Sequence, residues 1–454
     1  KSFANLTITN HGIDRRGFLK GVGATGALLL TANWSWSQEQ QKKYGGEGMP
    51  GGTKNDPKLF IAISQDGTVY ITCARSEMGQ GIRTSLALVV ADEMEADWEK
   101  CRVVQAEGDE ERYGNQNTDG SRSMRHWYEP MRQCGAVARA MLEQAASRGW
   151  GVDHEDVRAT KHSVVFPRGR RRAGFGELAE AVARLPVPMG SAIRLKRSNE
   201  FRYIGKEQTL SADGEDIVSG KAAYGADLRS VGMVYAVVSR PPVFGSKATS
   251  YDADAAMNVK GVIKVMEIEG TVVPSEFKPL GGIAVVAENT WAAMKGREAL
   301  KVEWSDSPND QYESQHYRRQ MEEVAKKRGK EIRAHGDLED AFAKAKKKHA
   351  ATYYLPHVAH APMEPPAATA LLKDDFLEVW APTQAPQAAR THAAERAGLP
   401  LEKTRVNVTL LGGGFGRKSK ADFINEAVEV AKAFPGKAAR VQWTREDDLR
   451  HDYL

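Results

Sequence analysis

The sequence predicts a mixed α/β (α+β) fold divided into several domains. A chain of 454 residues, 41% hydrophobic and 27% charged, can bury a large core and exceeds one typical domain. Short β-branched runs, such as 69–73, 233–239 and 282–287, alternate along it with segments whose apolar residues recur at helical spacing, such as 83–95, 124–147 and 422–434. A strand at 405–411 leads through a glycine-dense loop, 412–416, into the last of these helices. Four of the five loop residues are glycine and the fifth is Phe415, so the backbone can take φ > 0 and come within touching distance of another group. The helix start behind it adds unpaired N–H donors and positive potential, which suit an anionic group.

In chain order, residues 1–38 come first. Arg15 and Arg16 precede Phe18, Leu19 and Lys20 and then a short Gly/Ala/Leu run at 21–30, the layout of a twin-arginine (Tat) export signal. That run is too short to span a bilayer as a mature helix. No clear small-x-small cleavage site follows, so the expectation is periplasmic export, with the signal either cleaved or kept as an inner-membrane anchor. Residues 39–57 are polar and Gly-rich, a linker.

Residues 58–200 read as a first α/β domain. A hairpin at 60–73 turns at Asp66 and Gly67, and Gly79, Gln80 and Gly81 open the helix 83–95. Backbone donors and the Gln80 amide at a helix start make a workable anchor for a phosphate. Thr118, Ser121 and Ser123 lie at the N-terminal side of the helix 124–147, where hydroxyls can cap the backbone or bind a ligand; both uses stay open. Residues 201–304 are β-rich, 305–350 form a charged connector with helices at 312–331 and 338–349, and 351–454 form the last domain. In that domain a strand ends at Trp380, Thr383 and Gln384 follow, and a helix runs over 386–397.

Several function classes drop out. A net charge of +5 is small for this length and makes no case for nucleic acid; the basic tract 168–172 reads as a solvated turn. Cys73, Cys101 and Cys134 form no C-x-x-C pair, which leaves no four-thiolate iron–sulfur cluster or zinc site within the chain. His357, His360 and Glu364 have zinc-binding chemistry, but Pro362, Pro365 and Pro366 break the helix that would bring them together. A Walker A loop fails because Arg417 stands where its second glycine belongs, and the G-x-G-x-x-G fingerprint is broken at Phe415 and Gly416.

The glycine loop, G-G-G-F-G-R-K at 412–418, resembles that of the molybdenum-hydroxylase family of xanthine dehydrogenase and aldehyde oxidoreductase large subunits. Three more segments carry the resemblance: E-M-G-Q-G at 77–81, N-T-D-G-S-R-S at 117–123 and W-A-P-T-Q at 380–384. Their order, with E-M-G-Q-G ahead of the glycine loop, is similar to the isoquinoline 1-oxidoreductase and membrane-associated aldehyde dehydrogenase branch. The resemblance runs from about residue 58 to the end and implies a multidomain molybdopterin-binding large-subunit fold. Residues 201–304 would be its inserted small hammerhead domain, and the fold would be C-terminally incomplete.

The resemblance also implies a chemistry: hydroxylation of aldehydes or N-heteroaromatics with water-derived oxygen. Molybdenum would be held by a molybdopterin, extending to its cytosine dinucleotide form, with no protein ligand to the metal. Gln384 and Phe415 would stand beside the reacting centre. Gly79, Gln80, Gly81, Thr118, Ser121, Ser123, Gly413, Gly414, Gly416 and Arg417 would hold the cofactor. Electrons would leave to a small iron–sulfur subunit and onward to a cytochrome c subunit. In two respects this sequence departs from the pattern: the family's base, a glutamate in a G-V-G-E segment, is not in it, and Ser419 stands where purine-oxidising members carry a glutamate. The competing reading is an exported binding or scaffold protein that keeps the fold without the cofactor.

Overall fold

The computed structural model describes residues 48–188, 193–206, 211–271 and 275–453. The export-signal segment 1–38 and most of the linker, to residue 47, lie outside the described residues.

The first unit is built on a three-stranded sheet, β1 (Ile61–Ile63), β2 (Val69–Cys73) and β3 (Cys101–Gln105), in that order. β1 and β2 form the antiparallel hairpin expected from Asp66 and Gly67, with Ile61 opposite Ile71; β3 runs parallel to β2. Val69, Ile71 and Cys73 alternate inward, as a half-buried strand requires. They face helix α1 (Ile82–Met94) and the 29-residue helix α2 (Arg122–Trp150). These helices cross at Gly135, where a side-chain carbon would lie 2.6 Å from the Val90 carbonyl. Trp127 is buried in that core with its ring edge-on to Phe60 at 5.8 Å. A second small sheet, β4 (Arg158–Thr160), β5 (Ser163–Phe166) and β6 (Arg171–Gly174), leads to helix α3 (Phe175–Ala183). The basic tract 168–172 forms the β5–β6 turn and the start of β6, with its side chains in solvent.

The second unit is a seven-stranded sheet. Its strands are β7 (Val234–Ser239), β9 (Val262–Ile268), β10 (Gly282–Ala287), β12 (Ala367–Lys373), β13 (Phe376–Ala381), β14 (Thr404–Val408) and β15 (Ala438–Gln442), in the spatial order β14-β13-β12-β15-β7-β10-β9. A separate ribbon pairs β8 (Ala248–Asp252) with β11 (Lys301–Trp304). β15 lies parallel to β7, Arg440 opposite Tyr235. β7, β9 and β10 of 201–304 therefore share one layer with the strands of 351–454, although the sequence draws a boundary between them. Helix α4 (Thr290–Ala299) packs on β7 and β10, and Gly296 brings it down onto Val285.

Residues 308–358 are exposed throughout. They carry helices α5 (Ser314–Ala325) and α6 (Leu338–Lys344), both shorter than the sequence pattern suggests. With no packed face to extend them, the helices stop where intrinsic propensity alone stops supporting them. Helices α7 (Pro386–Ala397) and α8 (Asp422–Ala433) cover the β12–β15 region; Phe423, Ile424, Ala427, Val428 and Ala431 fill the interface. A short helix α9 (Arg445–Arg450) follows β15. Among the described residues no helix is long and apolar enough to cross a membrane.

Candidate functional site

Four loops meet between the two units, at residues 75–81, 115–118, 383–384 and 410–418. The contacts are mostly main-chain and alternate between them. Ser76 N–H donates to Thr118 Oγ1 (2.9 Å) and Ser76 Oγ to the Thr383 carbonyl (2.8 Å). Thr118 N–H donates to the Gln384 carbonyl (2.8 Å), Gln384 N–H to the Lys418 carbonyl (2.9 Å), and Leu411 N–H to the Glu77 carbonyl (2.9 Å). Segments as far apart in sequence as Ser76 and Thr383, 307 positions, are thereby fixed to one another.

Gln384 is at the centre. It is buried, its Nε2 donates to the Thr118 carbonyl (2.9 Å), and its Oε1 accepts the Gly416 N–H (3.0 Å). One Nε2 hydrogen is left for another acceptor. Gly414 packs against this amide so closely that a side-chain carbon would fall 2.4 Å from Gln384 Oε1 and 3.1 Å from Met78 Sδ. Gly413 (φ 87°) and Gly416 (φ 109°) take left-handed conformations, and Phe415 between them does so too (φ 55°), its ring exposed. The N–H groups of Gly413, Gly414 and Phe415 donate to nothing among the described residues.

The other sequence-derived positions divide. Thr118 is buried within the junction. Ser123 is buried too, but its Oγ accepts from Arg75 Nε (2.8 Å). Ser121, at φ 55°, is exposed and makes no capping bond to α2. Gly79 (φ 100°) and Gly81 (φ 78°) form the expected turn ahead of α1. The donors there are occupied: Glu77 Oε1 accepts from Gly79 and Gly81 N–H (2.9 Å each) and Oε2 from Arg83 N–H (3.0 Å). Gln80 closes its own turn, accepting from Met78 N–H and donating to the Ser76 carbonyl. The phosphate anchor read from the sequence is thus filled by the protein's own carboxylate.

Arg417 also differs from expectation. Its guanidinium is buried, donating to Asp422 (2.9 and 2.7 Å) with Asp452 3.1 Å from Nε, and it stacks over Trp443 and Tyr453. Burial works against its charge, but the two carboxylates outweigh that and hold its pKa above the ordinary arginine value. Its side chain steadies the loop from behind, leaving only its main chain in the loop itself. Ser419 likewise turns inward, its hydroxyl on the Gly416 carbonyl (2.6 Å). His357, His360 and Glu364 go to three different partners: Tyr312, Asp452 and Lys418.

Sequence reasoning missed Arg75. It is fully buried and among the described residues bonds only neutral groups, including Ser123 Oγ and the Asn115 carbonyl (2.7 Å), so it sets the 115–118 loop. Desolvation pushes its pKa down to about 10. The fit to a pterin-held oxo-metal group rests on the donors that remain. Three successive peptide N–H groups and one Gln384 hydrogen border the Gly414 cradle, and Asn117 Oδ1 is buried in the adjoining loop with no hydrogen-bond partner among the described residues. Such a cluster of free donors with a spare acceptor suits an oxo group and a polar heterocycle edge.

Two family profiles match the sequence, both described as a molybdopterin cofactor-binding domain, one over residues 42–232 and the other over 320–453. The beta subunit of isoquinoline 1-oxidoreductase from Brevundimonas diminuta is 30% identical, the match covering 97% of this chain and 60% of that protein. The membrane-bound aldehyde dehydrogenase (pyrroloquinoline-quinone) of Gluconacetobacter polyoxogenes is also 30% identical, over 97% of this chain and 56% of that protein. A nicotinate dehydrogenase subunit of Pseudomonas putida is 27% identical, over 86% of this chain and 32% of that protein. The chain therefore spans less than two thirds of the length of each of these relatives.

Proposed function

Because the chain belongs to the molybdopterin-binding large-subunit family of the molybdenum hydroxylases, we propose that it supplies the cofactor pocket of an oxidoreductase that hydroxylates aldehydes or N-heteroaromatic compounds. The reaction takes its oxygen from water and delivers two electrons to a small iron–sulfur subunit, and from there to a cytochrome c. The observation that carries this reading is the convergence of the 76–81, 117–118, 384 and 412–416 segments on one junction bordered by unpartnered N–H donors. The group supplies, when bound, a metal centre that accepts the electron pair removed from the substrate carbon.

The chain's own residues act around that centre. Gln384, held at both ends by Thr118 and Gly416, presents its remaining hydrogen in a fixed direction, so little reorganisation is needed as charge develops. The N–H groups of Gly413, Gly414 and Phe415 remain free to donate beside it, and the bare Gly414 lets the Gln384 amide pack directly against the loop backbone. Phe415, exposed at the loop tip, offers an apolar ring to a flat substrate and shields the donors from water. Asn117 Oδ1, buried with no partner among the described residues, would be the acceptor for a polar edge of the cofactor. Ser419, bonded to Gly416, offers no carboxylate to a purine, which favours the aldehyde and N-heterocycle classes.

The full-length gene product, coexpressed with a small iron–sulfur subunit, is expected to retain molybdenum and a pterin that fluoresces after oxidation. That complex is expected to oxidise an aromatic aldehyde or an isoquinoline-type heterocycle with an artificial electron acceptor. Protein from molybdenum-replete cells that carries neither metal nor pterin refutes the reading. Export by the twin-arginine route belongs to the same proposal. Replacing Arg15 and Arg16 by lysine is expected to keep the protein in the cytoplasm, and an unchanged periplasmic yield overturns that part.

A further inference from the structure

We propose that Glu364 is a positioning residue that clamps both ends of the glycine loop; the inference rests on the cofactor-binding reading above and concerns how that pocket keeps its shape. Glu364 Oε2 accepts the Gly412 N–H (3.1 Å) at the start of the loop and Lys418 Nζ (2.6 Å) at its end. Its Oε1 takes the Ala226 N–H (3.3 Å), and its own N–H donates to the Gly412 carbonyl (2.9 Å). The approach is close enough that a side-chain carbon on Gly412 would lie 2.5 Å from Glu364 Cβ.

The clamp reaches Gln384 through Lys418. The Lys418 side chain is fully buried, and Glu364 is its ion-pair partner. The Lys418 carbonyl accepts the Gln384 N–H (2.9 Å) and the Thr383 hydroxyl (3.2 Å). Fixing the ammonium therefore fixes the carbonyl on which Gln384 is hung. Glu364 itself sits in a segment stiffened by Pro362, Pro365 and Pro366, a rigid post for a loop made mostly of glycine. Three donors on its two oxygens engage the carboxylate in holding the loop.

Burial acts against the Lys418 charge and pushes its pKa below the ordinary lysine value, with Glu364 opposing the shift. Neutralising Glu364 alone would strand that ammonium, so the test pairs Glu364→Gln with the double variant Glu364→Gln/Lys418→Met, which removes both charges. Hydrogen exchange is read on the full chain without cofactor, and pterin content on the same proteins made in molybdenum-replete cells. The clamp predicts that the hydrogen-bonded amides of the loop, Leu411, Gly412, Gly416 and Arg417, exchange about tenfold faster in both variants, while those of α1 are unchanged. It also predicts that pterin content falls about tenfold. Unchanged exchange at those four amides overturns the proposal. So does an equal acceleration in α1 and in the loop in both variants, the mark of a general loss of stability. If wild-type protein holds no pterin, the cofactor reading fails by itself, and the exchange comparison still decides the clamp.

Discussion

The side-chain amide of Gln384 donates to the main-chain carbonyl of Thr118 across 2.9 Å, tying the last domain to the first at the point where the glycine loop arrives. Gln384→Glu places a carboxylate oxygen against that carbonyl and removes the donor. We expect a loss of about 1–3 kcal/mol in urea unfolding of the cofactor-free chain, with pterin content reduced. Gln384→Ala is expected to lower turnover of the loaded enzyme strongly. Unaltered activity in that variant removes Gln384 from the reacting centre.

Gly414 has an ordinary φ, so its need for glycine is one of space alone. Gly414→Ala drives a methyl into Gln384 Oε1. The expected cost is about 1–3 kcal/mol, with the cofactor lost from the purified protein. Gly436, which has open space around it, is the control position for a glycine substitution outside the site; there only the strain of φ 80° is felt.

Among the described residues Arg417 is the cation paired with Asp422, and it shares Asp452 with His360. Arg417→Met strips Asp422 of its cation and leaves Asp452 with His360 alone, and unfolding should show a loss of about 3–5 kcal/mol. Asp422→Asn leaves Arg417 paired with Asp452 and should cost less, about 1–3 kcal/mol. A larger loss from Asp422→Asn than from Arg417→Met contradicts this arrangement.

Burial, reinforced by Arg240, pushes the His451 imidazole down to about 4 from its ordinary 6.5, with Asp447 opposing and Arg297 and Arg450 adding to it. Between those values the unfolded chain binds a proton that the folded chain does not. Stability therefore falls as pH drops from about 6.5 towards 4, by an amount on the order of 3 kcal/mol. His451→Gln removes that contribution. Compared with wild type, the variant is expected to gain relative stability between pH 7 and pH 4.5 in urea unfolding. A constant difference across that range refutes the assignment.

The strand–loop–helix around the glycine loop was legible because β-branched alternation, glycine punctuation and helical spacing are all local signals. β12 and β15 were not. Ala367, Ala368, Ala370, Ala438 and Ala439 carry no β-branched signature, and it is the sheet around them that makes them strands. At the site, the sequence named the loops that meet but misjudged what several side chains do there. Glu77 occupies the turn offered to a phosphate, and Arg417 is turned towards Asp422 and Asp452. The Lys418–Glu364 pair spans 54 positions and Arg75–Ser123 spans 48. Pairings of that range leave no periodic trace in the chain, whereas a glycine or a proline reports on its own backbone.

The exposed stretch 308–358 separates β11 from β12 without contributing a strand to either sheet. A protease that nicks the polypeptide there breaks one covalent path and leaves β7 laced to β15. The two pieces should elute together on a sizing column and part only in denaturant. The same arrangement allows each piece to be synthesised apart and joined afterwards, because what holds them is lateral pairing and not continuity of the chain.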